Sequence, residues 1–272
     1  MAAKNEKIFA ANRAVGSLTF DVKNVAGKTR RGRLHEAGSL RVRCPGAPAA
    51  ELEAVLINTA GGVAGGDRFT LDITAGDDTR LVVTTAAAEK VYRTLGPDST
   101  IDVKLTVAAG AALAWLPQET ILFDRARLSR SIEADVAADA RLLIAEAIVF
   151  GRSGMGEIVE QGALLDRWRI RRAGKLVYAE TVRLDGAIAT RMAEPAVARG
   201  GVAVATVLIV PGDDAVVAAV RALQDRFTGE VGASAWNGIA AVRLVAPDGA
   251  ALRRDLIHAM TTARALPRIW TN

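Results

Sequence analysis

The sequence of 272 residues is short of the side chains that carry difficult chemistry: it has one cysteine, Cys44, and two histidines, His35 and His258. A lone cysteine excludes an internal disulfide framework and fits a reducing compartment. No two of these three residues stand at ligand spacing, so a tight metal site built on imidazole or thiolate is not expected. Aromatic residues make up 4%, too few for base-stacking platforms, which argues against nucleic acid as a partner. The longest apolar run, Gly201 to Val210, is too short to cross a bilayer. The opening "MAAKNEKIFAANRAVG" lacks the continuous apolar stretch of a signal peptide. A soluble cytoplasmic protein is expected. Linkers and low-complexity tracts are missing too, so residues 1–272 are read as a single domain.

What is present is apolar and basic. Half the residues are hydrophobic, at 50%, and Lys plus Arg exceed Asp plus Glu by 35 to 30. The basic residues form no tail; Arg167, Arg169, Arg171, Arg172 and Lys175 alternate along a predicted strand. Such a balance serves ordinary solubility, or suits nucleic acid, an anionic membrane or an acidic protein partner. A mean hydropathy of +0.20 with many alanines points to more exposed apolar surface than a solitary monomer carries.

An internal repeat organises the middle of the chain. "ITAGDDTRLVVTT" (Ile73 to Thr85), "VAAGAALAWLPQE" (Val107 to Glu119) and "VAADARLLIAEA" (Val136 to Ala147) each run from an apolar residue through a tight turn into a Leu/Val/Ile segment. Leu81, Leu113 and Leu142 occupy matching positions, 32 and 29 residues apart, and each segment is followed by a glutamate and an apolar run. Short apolar runs between turns read as buried strands, and a period near 30 residues suggests stacked coils. A βαβ array would need helices of about 10–15 residues between strands. The intervals "STIDVKLTV" and "ARLSRSIEADV" instead alternate as half-buried strands do. Further strands are predicted at 164–172, 176–184 and 202–210. The fold class is therefore mainly β, a stacked-strand β-helix-like solenoid or curled sandwich. About two α-helices are expected in the C-terminal third, near 213–227 with Asp213 or Asp214 as cap, and near 248–265 after Asp248. They either pack on the sheet or dock a helical partner.

"LINTAGGVAGGDRF" (Leu56 to Phe69) is the stretch most easily mistaken for a phosphate loop. A Walker loop ends in Gly-Lys-Ser/Thr, whereas Gly65-Gly66 here precede Asp67-Arg68, putting a carboxylate where phosphate would sit. "FGRSGMGE" (Phe150 to Glu157) lacks the lysine as well, and its Ser153 lacks the frame of a nucleophile elbow. These glycines are expected to serve tight turns or close backbone approach.

Four blocks, "NTAGGVAGGDRF", "TTAAAEKVYRT", "WLPQETILFDRARL" and "FGRSGMGE", resemble the successive signature segments of the urease accessory protein UreD (UreH) family, in that family's order. Weaker similarity extends to "GSLRVRCPG" and "YAETVRL". The resemblance implies a mostly β, non-catalytic scaffold that assembles with UreF and the GTPase UreG on apo-urease. It implies assistance in nickel delivery and in assembly of the urease metallocentre. No tightly bound cofactor is expected, with nickel only in transit.

Seven carboxylates lie in or beside the strand and glycine-loop motifs: Asp67, Glu89, Glu119, Asp124, Glu146, Glu157 and Glu180. A buried carboxylate needs a partner or water. Salt bridges to nearby Lys90, Arg93, Arg125, Arg152 or Arg183 would satisfy these carboxylates. As a set they are also candidates to line an internal path on which oxygen ligands and water pass a nickel ion. Two rivals remain: a β-solenoid carbohydrate-active enzyme using paired carboxylates, and an interaction scaffold that never touches metal.

Overall fold

The computed structural model describes residues 13–46, 49–262 and 270. The repeat seen in the sequence is a physical stack: Leu81 pairs in register with Leu113, and Leu113 with Leu142, on parallel neighbouring strands. The three leucines are buried to 2% exposure or less, so each adds about 1.5–3 kcal/mol of transfer free energy to one continuous ladder.

The chain enters through an antiparallel hairpin, β1 (Val15–Val25) and β2 (Lys28–Ala37), followed by β3 (Leu40–Arg43) and β4 (Glu51–Asn58). It then winds in coils. The first is β5 (Arg68–Ala75), β6 (Arg80–Thr85) and β7 (Glu89–Val91). The second is β8 (Ser99–Val107), β9 (Ala112–Leu116) and β10 (Thr120–Leu122). The third, β11 (Arg127–Val136) and β12 (Arg141–Phe150), leads into β13 (Gln161–Arg172) and its antiparallel partner β14 (Lys175–Ala187). After a short α1 (Ile188–Ala193) come β15 (Ala203–Val210), α2 (Asp214–Arg221), β16 (Glu230–Trp236), β17 (Ile239–Ala246) and α3 (Gly249–Thr261).

Two sheets face each other. One runs β14-β13-β11-β8-β5-β1-β2; the other runs β16-β17-β15-β12-β9-β6-β4-β3, with β7 and β10 flanking the far end of β12. In each coil the first strand lies in the first sheet and the second strand in the other, to which β7 and β10 also belong, and like strands of successive coils pair in parallel. This is the mainly β, solenoid-like stack expected; among the described residues the coil connections hold no α-helix, only a 3-10 turn at Ser153–Met155.

Period-two alternation assigns the faces. On the first sheet Leu71, Val103, Ile132 and Trp168 align inward, while Asp72, Lys104, Glu133 and Arg169 align outward as a ladder of alternating charge. The second sheet is covered on both faces, which is why "RLLIAEAIVF" reads as unbroken apolar sequence. Its inner face joins the intersheet core, and its outer face packs under α2, α3 and Trp270. That outer seam holds many of the alanines, among them Ala145, Ala147, Ala205, Ala240, Ala251 and Ala259. Much of the alanine content is thus buried rather than surface awaiting a partner.

Both predicted helices form where expected, capped as expected. Asp213 accepts hydrogen bonds from the N–H groups of Ala215 and Val216, and Asp248 accepts one from Ala251. The first ends at Arg221 and gives way to a 3-10 turn at Gln224–Arg226, short of residue 227. The second ends at Thr261; positions 263–265 of that expectation lie outside the described residues. The six-residue α1 carries no side-chain cap bond, and its sequence gives no start signal.

Candidate functional site

The glycine loop is shaped by the coil beneath it. A Cβ at Gly65 would fall 2.0 Å from the Thr94 hydroxyl, and one at Gly62, where φ is +150°, 2.4 Å from the Tyr92 ring. Only glycine fits, as expected of close backbone approach. Asp67 is 4% exposed. Its carboxylate accepts from the backbone N–H of Ala14 at 2.8 Å and of Ala64 at 2.7 Å. It pins the loop by backbone donors.

Between the sheets lie two cavities of about 300 and 210 Å³, and both are lined by Arg130 and Glu146. Arg130 points inward because it sits two residues before Ile132 on β11, in register with Ile101 on one side and Asp166 on the other. Its Nε donates to Asp166 Oδ1 at 3.0 Å and Nη2 to Oδ2 at 2.5 Å, while Nη1 donates to Glu146. The Trp115 indole N–H donates to Glu146 at 2.7 Å and that of Trp168 to Asp166 at 3.1 Å. Although burial works against its charge, Asp166 and Glu146 hold the Arg130 guanidinium above its ordinary pKa, so it stays cationic. Burial raises the pKa of Glu146 despite the attraction of Arg130. One guanidinium faces two acids here, and Asp166 takes it in a fork, leaving Glu146 the acid that favours a proton.

The larger cavity opens beside Gly61, Gly62 and Glu89. Glu89 accepts from the Asn58 amide at 3.3 Å. Burial pushes its carboxyl up to about 7, against the opposing pull of the Asn58 and Lys90 hydrogen bonds. The same cavity is lined by Gln118, which is 7% exposed and whose Nε2 finds no acceptor among the described residues. Glu180 lines the smaller cavity, accepting from Arg243 and from the Tyr178 hydroxyl. Burial and Glu180 push the Tyr178 phenol above its usual pKa.

Of the seven carboxylates singled out in the sequence, Glu89, Glu146 and Glu180 therefore line the internal cavities. The others do not line them. Glu119 accepts from Arg253 of α3 at 3.0 Å. Asp124 accepts from the Gln161 N–H at 3.0 Å and lies 3.6 Å from Arg125. Glu157 is gripped by Arg152 at 2.7 Å, and that hydrogen bond lowers its pKa. The local salt bridges weighed from sequence hold for Asp124 and Glu157; of the cavity acids, Glu146 and Glu180 find cations far along the chain, at Arg130 and Arg243, and Glu89 has no ion pair among the described residues. Asp166 and Arg130 were missed. Their one sequence signal is a charge on the inward phase of an otherwise alternating strand, Arg130 before Ile132 and Asp166 before Trp168. Among the described residues no group of three His, Cys, Asp or Glu is placed to hold a metal ion, and none of their helices is long and apolar enough to cross a membrane.

Comparison with known sequences agrees with the resemblance in the four blocks. A family model described as UreD urease accessory protein matches residues 14–271. The chain is 58% identical over 266 residues to the urease accessory protein UreD of Rhodopseudomonas palustris strain BisA53, covering 97% of this chain and 93% of the relative. The UreD of strain HaA2 is 57% identical over 270 residues, covering 98% and 97%. The UreD of Bradyrhizobium diazoefficiens is 55% identical over 266 residues, covering 97% and 96%.

Proposed function

The chain belongs to the UreD urease accessory protein family, and from that premise we propose how it serves urease maturation. It acts as a cytoplasmic scaffold without a reaction centre of its own, joins UreF and UreG on apo-urease, and passes nickel toward the metallocentre. The observation that supports passage is the partition shared by two internal cavities, with Glu89 on one side, Glu146 and Asp166 within it and Glu180 on the other.

Nickel is cargo here. Oxygen ligands and water hold a divalent ion weakly enough to release it. Glu89, nearly poised between protonation states at neutral pH, exchanges a proton for a cation at little electrostatic cost. At the partition the guanidinium occupies the place a cation would take. Passage requires Arg130 to part from Glu146, while its fork to Asp166 holds it nearby. A carbohydrate-active reading finds less support, since Glu146 and Asp166 are clamped by one guanidinium inside the core and neither is free to act as acid or base on a sugar.

The test is urease activation in cells supplied with nickel. Glu89→Gln and Glu146→Gln should lower the nickel loaded per urease several-fold while UreF still co-purifies. Glu119→Gln, which removes an acid off the path, should leave loading unchanged. Normal loading in both cavity variants, with the fold intact, would eliminate the internal path.

A further inference from the structure

The four sequence blocks meet at one corner of the stack. Residues 59–67, 92–98, 123–126 and 151–160 are the turns that lead into β5, β8, β11 and β13. They are sewn together coil to coil: the Tyr92 N–H donates to the Val63 carbonyl at 2.8 Å, Phe123 to Val91 at 3.0 Å and Gly151 to Leu122 at 2.8 Å. Their side chains stack as well. The Tyr92 hydroxyl donates to the Gly61 carbonyl at 2.9 Å, its ring meets Phe123 edge-on at 5.2 Å, and the Arg152 guanidinium lies 4.2 Å over Phe123. One flat group per coil makes a stiff support.

On that support stand apolar side chains left to water: Leu95 at 98% exposure, Met155 at 74% and Ile158 at 63%. At the Leu95 end the charge is lopsided. Of the acids in these turns, Asp67 is held by backbone N–H groups, and Asp98, Asp124 and Glu157 are paired with Arg127, Arg125 and Arg152; Glu160, at the Ile158 end, is exposed and has no side-chain partner among the described residues. Lys90 and Arg93 are exposed, and neither side chain has a hydrogen bond or ion pair among the described residues. Rigid aromatic groups, bare aliphatic anchors and unpaired cations are what a protein interface concentrates. Lys90 also lines the mouth of the 300 Å³ cavity with Gly61, Gly62 and Glu89.

We propose that this corner is a docking face for a protein surface that presents clustered carboxylates around an apolar socket, seated over the mouth of the larger cavity. The unpaired Lys90 and Arg93 select the acidic ring, and Leu95 enters the socket. The inference rests on the urease-maturation reading only for the choice of partners to try.

The experiment measures affinities of the purified full chain for UreF, UreG and apo-urease from the same genome. Leu95→Asp and the double variant Lys90→Glu/Arg93→Glu alter exposed side chains, and an unchanged melting temperature verifies the fold. One of the three partners should lose at least about tenfold in affinity with each variant. The loss from charge reversal should shrink as salt rises from about 0.05 to about 0.5 M, whereas that from Leu95→Asp should persist. Unchanged affinity for all three partners overturns the proposal. So does wild-type binding to phosphatidylglycerol vesicles that both variants abolish while protein affinities stand, which would assign the face to a membrane. Affinity judges the corner and nickel loading judges the internal path, so either can fail without the other.

Discussion

On the glycine-loop side of Arg130, Glu89 faces an amide donor and, among the described residues, no cation; on the far side, Glu180 is held by Arg243 and the Tyr178 hydroxyl. The two cavities share a wall and differ in how each carboxylate is compensated. Burial without a counter-charge pushes Glu89 up to about 7, leaving it free to trade a proton for a cation. Burial with a counter-charge makes Glu180 part of a fixed network. The wall itself is the extreme case, two acids on one guanidinium at 5% side-chain exposure for Arg130. Compensation, rather than the presence of acids, distinguishes the three stations.

Breaking the wall should have the largest effect. Arg130→Met strands Glu146 and Asp166 without their cation, and removal of one partner from a buried ionic cluster costs about 3–5 kcal/mol. Urea denaturation of the purified protein should show that loss. Adding Glu146→Gln and Asp166→Asn should recover part of it, since the stranded charges are then gone. A cost below about 1 kcal/mol for Arg130→Met would mean that water already reaches the wall and that the two cavities are one.

The Glu89 side gives a pH test with a definite sign. Because the folded pKa of about 7 lies above the ordinary 4.5, the folded state binds more protons than the unfolded one between those values. Stability attributable to Glu89 is thus full below pH 4.5 and falls as pH rises through 7. At pH 8 the ionised, buried Glu89 costs no more than about 3 kcal/mol. Glu89→Gln should therefore raise stability at pH 8 and leave it unchanged at pH 4.5. Parallel unfolding curves at the two pH values for wild type and variant would show that Glu89 is better solvated than its position between the sheets indicates.

On the Glu180 side the expected effect is smaller. Arg243 is half exposed, at 50% of its side chain, so solvent screens the pair. Glu180→Gln keeps one acceptor for Tyr178 and should cost about 1 kcal/mol, with a lowered Tyr178 pKa in a spectroscopic titration as the confirming sign.

The solenoid was legible in the sequence because each coil repeats the same local plan. The leucine ladder is three copies of one turn-and-strand pattern, and "STIDVKLTV" alternates without a break, matching β8 to the residue. Asp213 and Asp248 announced their helices by local hydrogen bonding. The wall was not legible, because Arg130, Glu146 and Asp166 come from three strands: Asp166 meets Arg130 through register across 36 residues, and Glu146 meets it across the two facing sheets, 16 residues away. Glu146 stood out as an acid in an apolar run. Arg130 was hidden among surface-like residues, since "RLSRSIEADV" offers polar side chains on both phases. Which strand acids face inward depends on strand phase, and a slip of one residue would turn Glu146 to the opposite face.

The smallest effect belongs to the corner. Glu157 is held below its usual pKa by the hydrogen bond from Arg152. A lowered carboxylate pKa contributes stability above its unfolded value and loses it as pH falls through the folded one. Arg152, however, lies open to water over Phe123, where screening and side-chain entropy offset most of the attraction. Glu157→Gln should therefore leave the denaturation midpoint within experimental scatter at pH 7 and at low pH alike. It should also free Arg152, adding a cation to the unpaired Lys90 and Arg93 and tightening the docked acidic partner. A midpoint loss as large as that of Glu180→Gln would mean that the corner is itself a rigid structural centre, and that its stacked side chains hold the coils together before they hold anything else.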